Sequence, residues 1–121
     1  FRASQAARVT MNQILTEIRR CQAVQATSSR IDMIMHDGKD RSYRYESGAK
    51  RIVLVTNDIT DDPDYALASN VIAAKFSSDS EPDPLTGINR VVRITLNLTI
   101  RVNRNQVQLT GSAAPRRALV Y

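Results

Sequence analysis

In the stretch VVRITLNLTIRV, Val92, Ile94, Leu96, Leu98, Ile100 and Val102 alternate with Arg93, Thr95, Asn97, Thr99 and Arg101. Strict period-two alternation is the mark of a β-strand with one dry face and one wet face. A sheet containing such a strand must hide its dry face beneath a second layer, so the rest of the chain has to supply a cover.

The N-terminal text FRASQAARVTMNQILTEIRRCQAV offers one. Ile14, Leu15, Ile18, Cys21 and Val24, with Val9 and Met11 before them, recur at spacings of three, four and seven. That period predicts a helix over about residues 3–26 with one apolar stripe. Met11, Ile14, Leu15, Ile18 and Cys21 are expected to pack on the sheet, while Asn12, Thr16 and Arg19 face away. The start of this helix is poorly signalled. Ser4 lacks the Glu or Gln three residues on that would complete a capping box, and Arg2 and Arg8 stand where the helix dipole favours acids. The first acid is Glu17. The helix is therefore expected to continue upstream of Phe1.

The remainder reads as β structure over about residues 29–110. Ile31, Met33 and Met35 alternate with Asp32, Ile34 and His36 as a half-buried strand, DGKD forms a turn, SYRY returns, ESGA turns again, and RIVLV makes a third strand. TNDITDDPDY breaks the pattern. ALASNVIAAKF reads as one short element, and SSDSEPDPLTG as a loop whose prolines and glycine exclude regular structure. NRN is a hairpin turn before Val107 and Leu109, and the tail 111–121 has no firm assignment. The expected fold is α+β in two layers: a single domain over residues 1–121, with a long N-terminal helix packed on an antiparallel sheet.

Composition narrows the chemistry. Six aromatic residues (Phe1, Tyr43, Tyr45, Tyr65, Phe76, Tyr121) and no tryptophan leave the core to aliphatic side chains. No apolar run approaches the roughly 20 residues that span a bilayer. The net charge of +5 suggests nucleic acid or another acidic ligand, but the basic residues are dispersed, with only Arg19–Arg20, Lys50–Arg51 and Arg116–Arg117 adjacent. A solvated surface accounts for them more simply, and nucleic acid is not the favoured partner. Cys21 has no disulfide partner in the chain and suits a buried position. His36, the single histidine, lacks sequence neighbours for a triad or a zinc site. Asp58, Asp61, Asp62 and Asp64 offer oxygen ligands for calcium within seven residues, without the glycine and glutamate of an EF-hand loop; no other cofactor is expected.

The order of elements resembles the type IV pilin and type II secretion pseudopilin superfamily. FRASQAARVTMNQILTEIRR is similar to the helix just past that superfamily's membrane segment. SYRYESGAKRIVLV, ALASNVIAAKF, RVVRITLNLTIRV and the basic tail APRRALVY resemble, in this order, the J-type pseudopilins and W-type minor pilins. Phe1 is followed by Gln5 rather than by a glutamate and an apolar run, so it does not match the superfamily's processed N-terminus. The resemblance implies a structural subunit of a pilus or pseudopilus, not an enzyme, in the bacterial cell envelope. It implies an inner-membrane anchor upstream of Phe1, with other pilin or pseudopilin subunits as partners. It would place Arg8, Asn12, Thr16, Arg19 and Arg20 at contacts with neighbouring subunits.

Overall fold

One helix and eight strands make up the structure, a computed structural model that describes residues 2–116. They are α1 (Arg2–Arg20), β1 (Ala23–Ala26), β2 (Arg30–Ile34), β3 (Asp40–Glu46), β4 (Arg51–Thr56), β5 (Tyr65–Ala68), β6 (Val71–Pro82), β7 (Asn89–Val102) and β8 (Asn105–Ala113). β1 to β5 pair in chain order as a five-stranded antiparallel sheet, and β6, β7 and β8 form a second, three-stranded antiparallel sheet.

The expected architecture, a long helix over one sheet in two α+β layers, is not what forms. The fold is mostly β, with two antiparallel sheets and one helix of 19 residues. Two local events account for the difference. After Arg20 the Cys21 amide bonds to the Ile18 carbonyl at 3.3 Å, tightening the last turn, and the Gln22 amide turns to Ile34 O at 2.9 Å. Residues 23–26, expected as the end of the helix, thereby become β1, and Val24 is buried in a strand instead of on the helix stripe. Further on, Asn70 takes φ 58, a left-handed conformation that asparagine tolerates. It splits ALASNVIAAKF into β5 and β6, which belong to different sheets.

The dry faces of the two sheets then cover one another as well as the helix. Ala7, Met11, Ile14 and Ile18 of α1 share one core with Ile31, Met33, Tyr43 and Ile52 of the first sheet and Phe76, Ile94, Leu96 and Ile100 of the second. Val9, placed on the apolar stripe by its spacing, is 66% exposed, because the buried face runs through Ala7, Thr10, Ile14 and Ile18 instead.

A third correction concerns the polar stretch after Phe76. β6 continues to Pro82, which pairs with Asn89, so only residues 83–88 form the turn. Pairing to the long β7 carries this half of the strand although its side chains are exposed. Asp83 organises the turn, its Oδ1 accepting from the Leu85 amide at 2.8 Å and the Thr86 amide at 3.3 Å. Of the tail, Gly111–Ala113 finish β8, and residues 117–121 lie outside the described residues.

Gly111 sets how closely α1 approaches β8. A Cβ there would meet Leu15 Cδ1 at 2.7 Å and Met11 Sδ at 3.1 Å. Gly111→Val is therefore expected to overpack this contact and cost about 1–3 kcal/mol. Urea unfolding should show a lower midpoint with an unchanged slope; a wild-type midpoint would refute the close approach.

Candidate functional site

Because the α1 stripe is buried, the other half of the helix faces outward. Arg8, Asn12, Thr16, Arg19 and Arg20, the candidates for subunit contact, are all exposed. Among the described residues, Arg8, Asn12, Thr16 and Arg19 make no side-chain hydrogen bond or ion pair. Arg20 differs, donating from Nη2 to His36 Nε2 at 3.3 Å.

Where α1 lies along β8, Arg8, Met11, Asn12 and Leu15 face Gln108, Leu109, Thr110 and Gly111 across a groove of about 430 Å³. The floor is apolar, since Met11, Leu15 and Leu109 are nearly buried. The rim is polar and carries one charge, that of Arg8. The bare backbone at Gly111 leaves room for Leu15 and Met11 beneath this groove. Two of the outward helix residues thus come together with β8, whereas Thr16 and Arg19 lie beyond it. Of the β8 half of the groove, Leu109 belongs to the partner strand expected from the sequence, and Gly111 to the tail without an assignment. The signal of this half is the uncharged run NQVQLTGSA, whose apolar alternation starts at Val107 and Leu109 and fades into Gly111 and Ala113.

Met11, Ile14, Leu15, Ile18 and Cys21 are all buried, with Cys21 just past the helix end. The Cys21 Sγ donates to Ile18 O at 3.1 Å, and burial pushes its thiol up to about 11, which leaves it protonated at neutral pH. Sequence periodicity missed the polar ties of the helix. Thr10 is buried and donates to Leu67 O at 3.3 Å. The hydroxyl of fully buried Tyr43 donates to Glu17 Oε2 and accepts from Gln13 Nε2 at 3.0 Å. Burial, and then the Glu17 carboxylate, pushes the Tyr43 phenol far above its usual range. Tyr43→Phe should cost about 1–2 kcal/mol, because Gln13 and Glu17 lose a partner at a largely dry contact. Thermal unfolding of the variant at neutral pH measures this, and an unchanged midpoint would argue against the hydrogen bonds.

The five-stranded sheet carries a second polar assembly on its opposite face. Asp32, 8% exposed, accepts from Arg30 Nε at 2.6 Å, Ser42 Oγ at 2.5 Å and Gln25 Nε2 at 3.0 Å. Asn57 Nδ2 donates to Ser42 Oγ at 2.8 Å and Asp40 Oδ1 at 3.0 Å. Every member has a partner, as a structural network requires.

Two of the four aspartates of the 57–64 loop, Asp62 and Asp64, are held by different partners. Asp62 accepts from Thr56 Oγ1 and from the Tyr65 hydroxyl at 2.7 Å, while Asp64 accepts from Arg44 at 2.6 Å. Among the described residues, no group of three or more His, Cys, Asp or Glu side chains is placed to hold a metal ion. Nor, among them, is any helix long and apolar enough to cross a membrane. No protein-family model, curated protein or solved structure gives a significant match to this chain.

Proposed function

We propose that this chain is a structural subunit, a minor pilin or pseudopilin, of a type IV pilus or type II secretion pseudopilus, and that it acts by assembly rather than catalysis. The observation that carries this reading is the division of α1. One face locks into the core shared by two sheets, and the other presents Arg8, Val9, Asn12, Thr16 and Arg19 outward without partners among the described residues. A rigidly held helix with a free, mostly polar face suits packing against neighbouring helices. A helix precedes the strands in the chain, as in the resemblance, but the two antiparallel sheets depart from the helix-on-one-sheet fold it implies. On this reading the protein sits in the bacterial cell envelope, anchored in the inner membrane by a segment upstream of Phe1, and its partners are other pilin or pseudopilin subunits.

Sequencing the native gene upstream of Phe1 tests this. The expected result is roughly 20 apolar residues with a glutamate near their start, behind a short basic leader. A polar upstream sequence would sink the proposal.

One observation favours binding to nucleic acid instead. Residues 84–116 contain five arginines (Arg90, Arg93, Arg101, Arg104, Arg116) and no acid. That reading requires an oligonucleotide affinity that falls steeply with added salt. Binding absent at low salt would dispose of it.

A further inference from the structure

The four outer edges of the two sheets are not alike. β1 and β5 are four residues each, and β5 pairs with β4 through a register shift. β6 is occupied in its first half, where the Val71 amide bonds Lys50 O at 2.9 Å and the Phe76 amide bonds Ser28 O at 3.0 Å. Its second half bears Asp79, Glu81 and Pro82 with a register shift at Asp79/Ser80. Short strands, charges, proline and bulges are the devices that keep sheet edges from pairing. β8 has none of them. It runs nine residues, pairs with β7 without a shift from Val102↔Asn105 to Ile94↔Ala113, and contains no charge and no proline. No backbone hydrogen bond joins its other side to any described residue.

Its free groups can be named. The pair closing a two-residue hairpin exchanges hydrogen bonds, and such pairs alternate with non-bonded ones along an antiparallel ladder. Counting from Val102↔Asn105 leaves Gln106, Gln108, Thr110 and Ser112 with their N–H and C=O groups turned away from β7.

We propose that β8 receives an extended strand of a partner protein, whose inward side chains enter the groove beside Met11 and Leu15 and whose acidic residue meets Arg8. Main-chain pairing supplies affinity in this mode and alternate side-chain pockets supply specificity. Charge selects the occupant. Arg8 lines the groove without an ion-pair partner among the described residues, Arg101 and Arg104 flank the start of β8, and the chain has no acid over residues 84–116. A second copy paired through β8 would bring two such basic surfaces together, whereas a carboxylate on the incoming strand would form a charge-assisted bond to Arg8. The proposal rests on the reading that this chain works by binding protein partners, and it names where one of them docks.

The test uses the 121-residue chain and a labelled nine-residue peptide of alternating threonine and valine, with one valine replaced by glutamate. The same peptide with lysine at that position is the control. Anisotropy should show the glutamate peptide binding about tenfold more tightly, and amide shifts should centre on Gln106, Gln108, Thr110 and Ser112. Gln108→Pro removes an outward donor from an edge strand that tolerates proline, so it should keep the fold by circular dichroism yet weaken binding at least about tenfold. Arg8→Glu should reverse the preference between the peptides.

Absence of binding, shifts away from β8, or equal binding by Gln108→Pro overturns the proposal. So does a concentration-dependent dimer abolished by Gln108→Pro, which would make the occupant a second copy. An oligothymidylate that displaces the glutamate peptide from the β8 amides would assign the surface to nucleic acid and likewise overturn it. Peptide binding at β8 without an apolar segment upstream of Phe1 would uphold strand addition while removing the pilus reading.

Discussion

Phe76→Ala is expected to lower the unfolding free energy by about 3–5 kcal/mol, the usual range for emptying a buried phenylalanine site. Phe76 is 2% exposed and stands where the two sheets meet. It pairs with Leu96 on β7, and its amide reaches across to Ser28 O, in the connection between β1 and β2. Phe76 belongs to the one core cluster that side chains of both sheets share, and neither sheet can close over an emptied site without leaving its own ladder. For a domain of this size the loss corresponds to a midpoint on the order of 10–20 °C lower in thermal unfolding. Phe76→Leu should recover much of it by refilling the volume. A loss below about 1 kcal/mol for the alanine variant would mean that the sheets do not close on this side chain.

The second large effect belongs to Asp32. Asp32→Ala should cost about 2–3 kcal/mol, less than the full penalty for breaking a buried ion pair because Arg30 is one-third exposed and can be partly rehydrated. Ser42 and Gln25 lose an acceptor at the same time. The same residue links stability to acid. Burial alone would raise the Asp32 pKa, but hydrogen bonds from Ser42, Arg30 and Gln25, together with the Arg30 charge, outweigh it and hold the carboxyl below the ordinary range. With the folded value below the unfolded one, the stabilisation is present above the unfolded pKa of about 3.9 and is lost as pH falls through the folded pKa. The wild-type urea midpoint should thus decline as pH drops below about 4, and Asp32→Ala should show a shallower decline. Parallel declines for the two proteins would detach Asp32 from the effect.

The sequence was most readable where one periodicity acted over a long span. Ile94, Leu96, Leu98 and Ile100 are buried in β7, as their alternation demands, and the turns around Gly38 and Gly48 fall between strands. The helix face through Ile14 and Ile18 was legible for the same reason, though spacing alone could not separate Val9 from Ala7 and Thr10. Which strands share a sheet was hidden, because that choice turns on the backbone of Asn70, and SN at that point has no apolar pattern to mark it. The length of β6 was hidden as well. Residues 77–82 bury nothing, and only their register with β7 makes them a strand. The Asp32 network was invisible from a different cause. A polar residue alternating with apolar ones reads as solvent-facing, whereas here Asp32 and Ser42 are buried among the side chains of Gln25, Arg30 and Asn57. The groove combines both difficulties: its helix side is the polar half of a clear amphipathic pattern, and its β8 side is an uncharged strand whose alternation fades from Val107 and Leu109 into Gly111 and Ala113.

The contact between α1 and β8 has a consequence for the order in which the fold is made. Strands β1 to β5 each find their partner in the next stretch of chain, so they can form early at small entropic cost. Met11 and Leu15 instead close on Gly111, near the far end of the sequence. Docking of the helix on β8 is accordingly expected to come late, after its ties to Tyr43 and Leu67 can have formed. Ile14→Val and Ile18→Val should speed unfolding while scarcely changing the refolding rate, and a matching drop in refolding rate would place the helix in the nucleus instead. The stripe from Ala7 to Ile18 is made before β7 and β8, so although its partners in the first sheet follow soon after, the contacts of Met11 and Leu15 at Gly111 form only when β8 has been translated.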